Sequence, residues 1–184
     1  MPHYFQIYKP YGILSQFSTD LAHKRTLASL YDFPSHVYPI GRLDEDSEGL
    51  LLLTDDKRLN QQLLGQGIEK EYWVQVEGKP TEADLQPLRE GVSIRVKKKT
   101  YQTLPAKVEI IANEPPLPAR NPPIRFRKAI PTTWLAITLR EGKNRQVRKM
   151  TAKVGFPTLR LVRWRLGPWT IENYKVGEVR IWDR

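Results

Sequence analysis

The sequence is constrained most by a run of four leucines, Leu50–Leu53, that follows an acidic segment containing several turn-forming residues. Pro39 and Gly41 disfavour a helix ahead of this run. Four consecutive apolar residues are typical of a strand that is covered on both faces. We therefore expect Leu50–Leu53 to form a buried strand and the acidic segment before it to form a loop.

Other segments predict further strands and a few short helices. Residues 70–78 alternate in character, so that Tyr72, Val74 and Val76 share one face of a strand. The predicted helix N-caps are Thr26, Thr54, Thr81 and Asn144. Further strands are predicted within residues 3–18, 92–111, 133–140 and 156–182, and the segment 114–131, with its six prolines, is predicted to be an extended loop.

Strands outnumber helices in this pattern, which favours an α+β fold. We expect a mixed, mainly antiparallel sheet with helices packed on its outside and a central catalytic cleft. The length of 184 residues suits a single domain over residues 1–184.

The positive charge of the chain is concentrated in one region. The net charge is +10, and residues 120–165 contain thirteen Lys or Arg and one acid, Glu141. A surface of this sign attracts phosphates, which favours a nucleic acid partner over a merely solvated surface. No run of about 18 apolar residues is present, so we expect no membrane anchor.

The residue types that usually bind metals are scarce. Cysteine is absent, and His3, His23 and His36 have no spacing typical of metal ligands. We therefore expect no metal site and no cofactor.

The acidic segment also matches part of a calcium-binding pattern. Asp44, Asp46, Glu48, Gly49 and Asp55 occupy positions 1, 3, 5, 6 and 12 of an EF-hand loop. An EF-hand requires a helix on each side, whereas a Pro-Gly segment precedes this loop and a leucine strand follows it. Calcium binding is therefore disfavoured. A plain turn with capping carboxylates remains the alternative for Asp46, Glu48, Asp55 and Asp56.

Asp44 follows Arg42 by two residues and lies just ahead of the predicted buried strand. A loop tip next to a rigid strand can hold a catalytic side chain in place. The segment 41–56, GRLDEDSEGLLLLTDD, resembles the catalytic motif of one family of pseudouridine synthases. That family comprises synthase A, for small-subunit RNA, and synthases B, E and F, for large-subunit RNA. Further motifs of the family agree in order at residues 9–12, 70–78, 141–157 and 159–168. Many relatives begin with a small RNA-binding module of the S4 type, which we do not expect here.

The resemblance implies three catalytic residues. Asp44 is the nucleophile and Tyr72 stacks on the target base, whereas an isolated strand Tyr is usually a core residue. A basic residue of the 141–157 motif pairs with Asp44. In a helix from Asn144, Arg148 borders the apolar stripe, so we assign the pairing to Arg148, with Arg145 as the alternative.

The same resemblance assigns residues to RNA binding. Arg145, Lys149 and Lys153 are expected to meet phosphates, and Leu161 to pack near the flipped base, although a strand Leu is a core residue by default. Arg42 contacts phosphate or fills the space that the base leaves, or alternatively pairs with the acidic segment.

The implied function is isomerisation of a uridine in ribosomal RNA, with large-subunit RNA expected as the substrate. The enzyme is expected to be a cytoplasmic monomer that needs neither metal nor cofactor. A non-catalytic RNA-binding protein, such as a ribosomal protein or an assembly factor, would have the same charge and is the alternative. Asp44 distinguishes the two, because binding alone does not need a nucleophile.

Overall fold

The computed structural model describes residues 1–65 and 67–182. The fold is α+β, as predicted, with mainly antiparallel strands and, among these residues, three α-helices. The strands are β1 (Tyr4–Lys9), β2 (Ile13–Leu14), β3 (Arg25–Thr26), β4 (Tyr38–Ile40), β5 (Glu48–Thr54), β6 (Lys70–Glu77), β7 (Ser93–Val96), β8 (Lys99–Gln102), β9 (Lys107–Ile111), β10 (Thr132–Leu139), β11 (Thr158–Leu166), β12 (Trp169–Thr170) and β13 (Val179–Ile181). The helices are α1 (Lys57–Leu64), α2 (Glu82–Glu90) and α3 (Gln146–Lys153).

The chain divides into two compact units. The described residues of 1–68 and 163–184 form the first unit, and residues 69–162 form the second. The boundary between Val162 and Arg163 falls within β11.

The first unit is organised around β5. All seven residues of β5 are buried, as expected for the leucine run. Strand β1 pairs antiparallel with β5, with Ile7 opposite Leu51, and β13 pairs with the other edge of β1. Strand β4 also pairs antiparallel with β5. Because Thr54 is opposite both Tyr4 and Tyr38, β1 and β4 must lie on the two different edges of β5.

The second unit has an antiparallel sheet in the order β6, β10, β9. Helix α2 packs against β9, and α3 packs against β7. Strands β7 and β8 form a hairpin whose turn residues, Lys97 and Lys98, both have positive φ. The hydrophobic core of this unit contains Val74, Val76, Leu85, Leu88, Val92, Ile94, Val108, Leu135, Ile137, Leu139, Val147, Met150 and Leu161.

Helix α2 begins as the sequence predicts. The Thr81 side chain accepts a hydrogen bond from the Asp84 backbone, and the Asp84 carboxylate accepts one from the Thr81 backbone, which completes a capping box. Gly91 ends the helix with φ +107°, which favours glycine.

The predicted cap of α1 is wrong by two residues. Asp56 caps the helix by accepting hydrogen bonds from the backbones of Arg58 and Leu59. Thr54 is the last residue of β5, and its hydroxyl donates to the His3 carbonyl and accepts from the Asp56 backbone. Strand pairing therefore engages the residue that local propensity assigns to the helix.

Thr26 stands at the predicted N-cap position, but the element that follows is only a 3₁₀ turn, Leu27–Ser29, and the Thr26 hydroxyl donates to the Phe17 carbonyl instead of capping. The predicted cap of α3 is wrong. The N-cap of α3 is Arg145, not Asn144, and Arg145 has left-handed backbone angles, φ 51° and ψ 33°.

Residues 114–131 are all described and contain no helix or strand, as their prolines predict. No helix within residues 1–65 and 67–182 is long and apolar enough to cross a lipid bilayer.

Candidate active site

We define the acidic loop as residues 41–47, which connect β4 to β5. Its backbone is held by residues that come earlier in the chain. The Ser15 hydroxyl donates to the Leu43 carbonyl at 2.7 Å and accepts from the Leu43 backbone at 3.2 Å. The Gly12 backbone donates to the Glu45 carbonyl at 2.8 Å. Bonds on both sides of Asp44 fix the position of the residue between them.

Arg163 connects the first residue of the acidic loop to β5, the strand that follows the loop. Its side chain is almost completely buried, with 2% of its surface exposed. Nε donates to the Leu50 carbonyl and Nη2 donates to the Gly41 carbonyl, both at 2.8 Å. No local sequence pattern predicts this role of Arg163, because its partners lie more than a hundred positions away.

Lys9 lies buried beneath the same loop. Its Nζ donates to the carbonyls of Pro10 and Ile13. Burial lowers the pKa of Lys9 from 10.5 to about 8, because removal from water disfavours the charged form. Nearby carboxylates, which favour the charge, offset part of this effect; they are Glu48, Asp46, Glu45 and Asp44.

Asp44 and Arg42 are the two predicted site residues of the first unit. Asp44 is half-buried, and Arg42 is exposed. Strands β4 and β5 flank the acidic loop, so the helices that an EF-hand requires are not its neighbours. A half-buried carboxylate on a firmly held loop suits attack on a substrate, because its orientation is set before the substrate arrives.

Tyr72 lies on β6 in the second unit, opposite Ile137 of β10. Its side chain is half-buried and packs against the hydrophobic core beside Val74 and Val76. One part of the ring is therefore fixed by the core, while another part remains accessible to a ligand.

Helix α3 has an apolar face and a basic face. Val147, Met150 and Thr151 are buried and form the apolar face, while Arg148 is half-buried at its border, as predicted. Arg145 and Lys153 are exposed; Lys149 is half-buried and its ammonium donates to the Asn144 carbonyl.

The turn that leads into α3 is held by Glu141, the one acid within residues 120–165. Its carboxylate accepts hydrogen bonds from the Tyr101 hydroxyl, the Leu104 backbone and the Gln146 side chain. The bond to Glu141 and burial both raise the pKa of Tyr101. Gln146, which is buried, also accepts from the Lys143 backbone at 2.9 Å. This network stabilises the turn in which Arg145 has its left-handed backbone.

Leu161 is buried in the core of the second unit, with 6% of its surface exposed. Tyr72, Leu161 and the buried face of α3 all contact this one core. The second unit thus brings together the predicted residues of three separate motifs.

Some of the basic residues between 120 and 165 are structural. Arg160 and Arg163 are buried, and Arg160 donates to the Pro118 carbonyl. Arg120 donates to the carbonyls of Pro122, Pro123 and Leu159. The expectation that the basic residues of this region lie at a surface is therefore wrong for Arg160 and Arg163.

Comparison with known proteins identifies the family. A family model described as RNA pseudouridylate synthase matches residues 3–153. The chain belongs to this family of synthases. The motifs in the sequence predicted this family, and the prediction is confirmed.

Relatives of the synthase cover nearly all of its length. Ribosomal large subunit pseudouridine synthase E of Vibrio vulnificus is 56% identical over 172 residues, which are 92% of this chain and 70% of that protein. The protein of the same name in Xanthomonas campestris is 49% identical over 178 residues, 95% of this chain and 92% of that one. Ribosomal large subunit pseudouridine synthase B of Bacillus subtilis is 32% identical over 181 residues, 97% and 67% of the two chains.

Solved structures agree with the fold of the synthase. A crystal structure of a pseudouridylate synthase matches with a TM-score of 0.79 at 26% identity, covering 100% of this chain and 71% of that one. Human RNA pseudouridylate synthase domain containing 1 matches with a TM-score of 0.60 at 13% identity, over 90% and 75% of the chains, and so shares the fold. The chain is accordingly an isomerase that makes pseudouridine.

Proposed function

We propose that this synthase isomerises a specific uridine in large-subunit ribosomal RNA, with Asp44 as its nucleophile. The names of its relatives support the substrate class. The observation that carries the catalytic role is the acidic loop, in which Ser15, Gly12 and Arg163 hold the backbone on both sides of a half-buried Asp44.

The reaction breaks the bond between ribose C1′ and N1 of uracil and forms a bond between C1′ and C5. The base loses its C5 proton to solvent and gains a proton at N1, so no atoms are added to the nucleotide. An ionised carboxylate serves as the nucleophile, by attack on the ribose or on the base. This chemistry is complete without a metal or a cofactor.

Arg148 is the proposed partner of the Asp44 carboxylate. It lies at the border between the buried and the basic face of α3, where a guanidinium can line a cleft. Tyr72 is the proposed stacking platform, because its partly buried ring packs against the core of the second unit. Leu161, which belongs to the same core, is proposed to pack near the flipped base, and Arg42 is proposed to fill the space that the base leaves.

The basic face of α3 is the proposed contact for the RNA backbone. Arg145, Lys149 and Lys153 supply charges on one helix, and phosphate contacts of this kind add affinity that salt weakens. The Pro-rich segment adds Phe126, 84% exposed, between Arg125 and Arg127. An exposed ring between cations suits stacking on an unpaired base.

We further propose that the synthase works as a monomer in the cytoplasm and that residues 1–184 act as one catalytic domain.

The experiment that tests this function is a map of the pseudouridines in ribosomal RNA from cells that lack the protein. We expect one modification of large-subunit RNA to disappear, to return with the wild-type chain and to stay absent with Asp44→Asn. A map identical to that of the parent cells would contradict the substrate class.

A matched pair of variants tests the partner of Asp44. Arg148→Met removes the proposed ion pair and is expected to lower kcat. Arg145→Asn removes a charge but keeps a residue type that tolerates left-handed backbone angles, and it is expected mainly to weaken RNA binding. The reverse pattern in single-turnover rates and RNA affinities would assign the pairing to Arg145.

A further inference from the structure

Two histidines and a carboxylate meet at the end of β5, apart from the acidic loop. His3 Nδ1 lies 2.8 Å from Asp55 Oδ2, and His36 Nε2 lies 3.0 Å from the same oxygen. The three ligand atoms all lie within 4.8 Å of one another. The sequence spacing gave no sign of this cluster, because its members are brought together by strand pairing.

The pairing register explains why these residues converge. Asp55 follows Thr54, which is opposite Tyr4 on one edge of β5 and Tyr38 on the other. His3 directly precedes Tyr4, and His36 precedes Tyr38 by two residues. Antiparallel strands on both edges therefore bring one histidine from each side to the carboxylate.

The backbone around the cluster is held firmly. The His3 backbone donates to Asp55 Oδ1 at 2.8 Å, and its carbonyl accepts from the Thr54 hydroxyl. The two imidazole rings contact each other edge to face, with centroids 5.3 Å apart. These contacts restrict His3 and Asp55 before any ligand binds, which lowers the entropy lost on binding.

The donor set matches a particular class of ion. Imidazole nitrogens with one carboxylate suit zinc and its neighbours among the divalent transition metals. Bonds of about 2.0–2.1 Å in a tetrahedral site place ligand atoms about 3.3 Å apart, close to the two shorter separations here. The histidine side chains are 44% and 59% exposed, so an ion can reach them from solvent.

We propose that His3, His36 and Asp55 form a binding site for a divalent transition metal ion of the zinc class. Three protein ligands leave the fourth position to water. The site joins the start of β1 and the segment before β4 to the end of β5, so a bound ion stabilises the first unit. It is independent of the chemistry proposed for Asp44.

Two measurements on the full chain test the site, with Co²⁺ and Zn²⁺ as probes. Co²⁺ titration is expected to produce visible absorption bands that saturate at one ion per chain. Zn²⁺ in hundredfold excess over Kd is expected to raise Tm by about 5 °C or more. His36→Gln and Asp55→Asn are each expected to lose the bands and the rise in Tm.

His23→Gln is the matched control, because His23 is the other histidine of the chain, is exposed and lies outside the cluster. It is expected to behave as the wild type does. Wild-type protein without saturable bands, or a rise in Tm that survives in both His36→Gln and Asp55→Asn, would overturn the proposal. The cluster would then be a set of hydrogen bonds only.

Discussion

The acidic loop and the Pro-rich segment at 114–131 are both irregular in structure, yet they are held in different ways. The backbone of the acidic loop is bound at several points by residues distant in sequence, including the buried Arg163. The Pro-rich segment is tied to β11 through Arg120 and Arg160, while its residues 125–128 remain exposed. A loop that positions a reacting carboxylate needs rigid support, whereas a segment that meets a large polyanion can leave its side chains in solvent.

The largest expected effect comes from removing the support of the acidic loop. Arg163→Leu keeps an apolar side chain in the buried site but leaves the carbonyls of Gly41 and Leu50 without this donor. We expect the free energy of unfolding to fall by on the order of 3 kcal/mol and kcat to fall even under conditions where the variant remains folded. Urea unfolding and single-turnover rates measure the two effects.

Arg163→Lys provides the control for charge. A lysine keeps the positive charge but cannot donate to both carbonyls in the geometry of a guanidinium. We expect the Arg163→Lys variant to lose most of the single-turnover activity that the Arg163→Leu variant loses. A fully active lysine variant would show that charge, and not the two hydrogen bonds, supports the loop.

An effect on stability that depends on pH is expected from Lys9. Its pKa is lowered to about 8 in the folded chain, from 10.5. Between these values the folded state has released a proton that the unfolded state still holds, so Lys9 makes stability rise with pH. The difference between the pKa of Lys9 in the folded and unfolded states corresponds to roughly 3 kcal/mol in the free energy of unfolding.

The measurement is the stability of the wild type minus that of Lys9→Met, from urea unfolding at pH 7 to 10.5. We expect this difference to increase with pH above about 8. The same difference taken with Lys57→Met, at the exposed start of α1, is expected to stay flat. If the stability difference between the wild type and Lys9→Met does not change with pH, burial does not destabilise the Lys9 ammonium.

The smallest effect on stability is expected in the Pro-rich segment. Phe126→Ala removes a ring that is 84% exposed, so Tm is expected to change little. RNA affinity is expected to fall about tenfold, as for the loss of one stacked base. Tyr38→Ala removes an aromatic ring that is 61% exposed in the first unit and serves as the control. Equal RNA affinities for both variants would remove Phe126 from the interface.

Local patterns predicted most of the fold. The leucine run, the alternation of residues 70–78 and the Thr81–Asp84 capping box each carry their signal within a few residues, and β5, β6 and α2 follow from them. The predicted caps at Thr54 and Asn144 failed, because strand pairing engaged Thr54 and the Glu141 network shaped the turn before α3.

The site was predicted only in part. The motifs pointed to Asp44 and to the residues of α3, because they lie in short segments that resemble a family. Arg163 and the cluster of His3, His36 and Asp55 depend on contacts across many residues, which arise from strand order and register. No local pattern encodes such contacts.

The nucleophilic role proposed for Asp44 is tested most directly by tritium release from RNA labelled at C5 of uridine, under single-turnover conditions. Asp44→Asn is expected to lower the rate at least about 10³-fold, as for loss of a catalytic nucleophile, with RNA binding retained. Asp46→Asn removes an equal charge from the same loop and is expected to keep most of the rate. Release by Asp44→Asn at the wild-type rate would contradict the account.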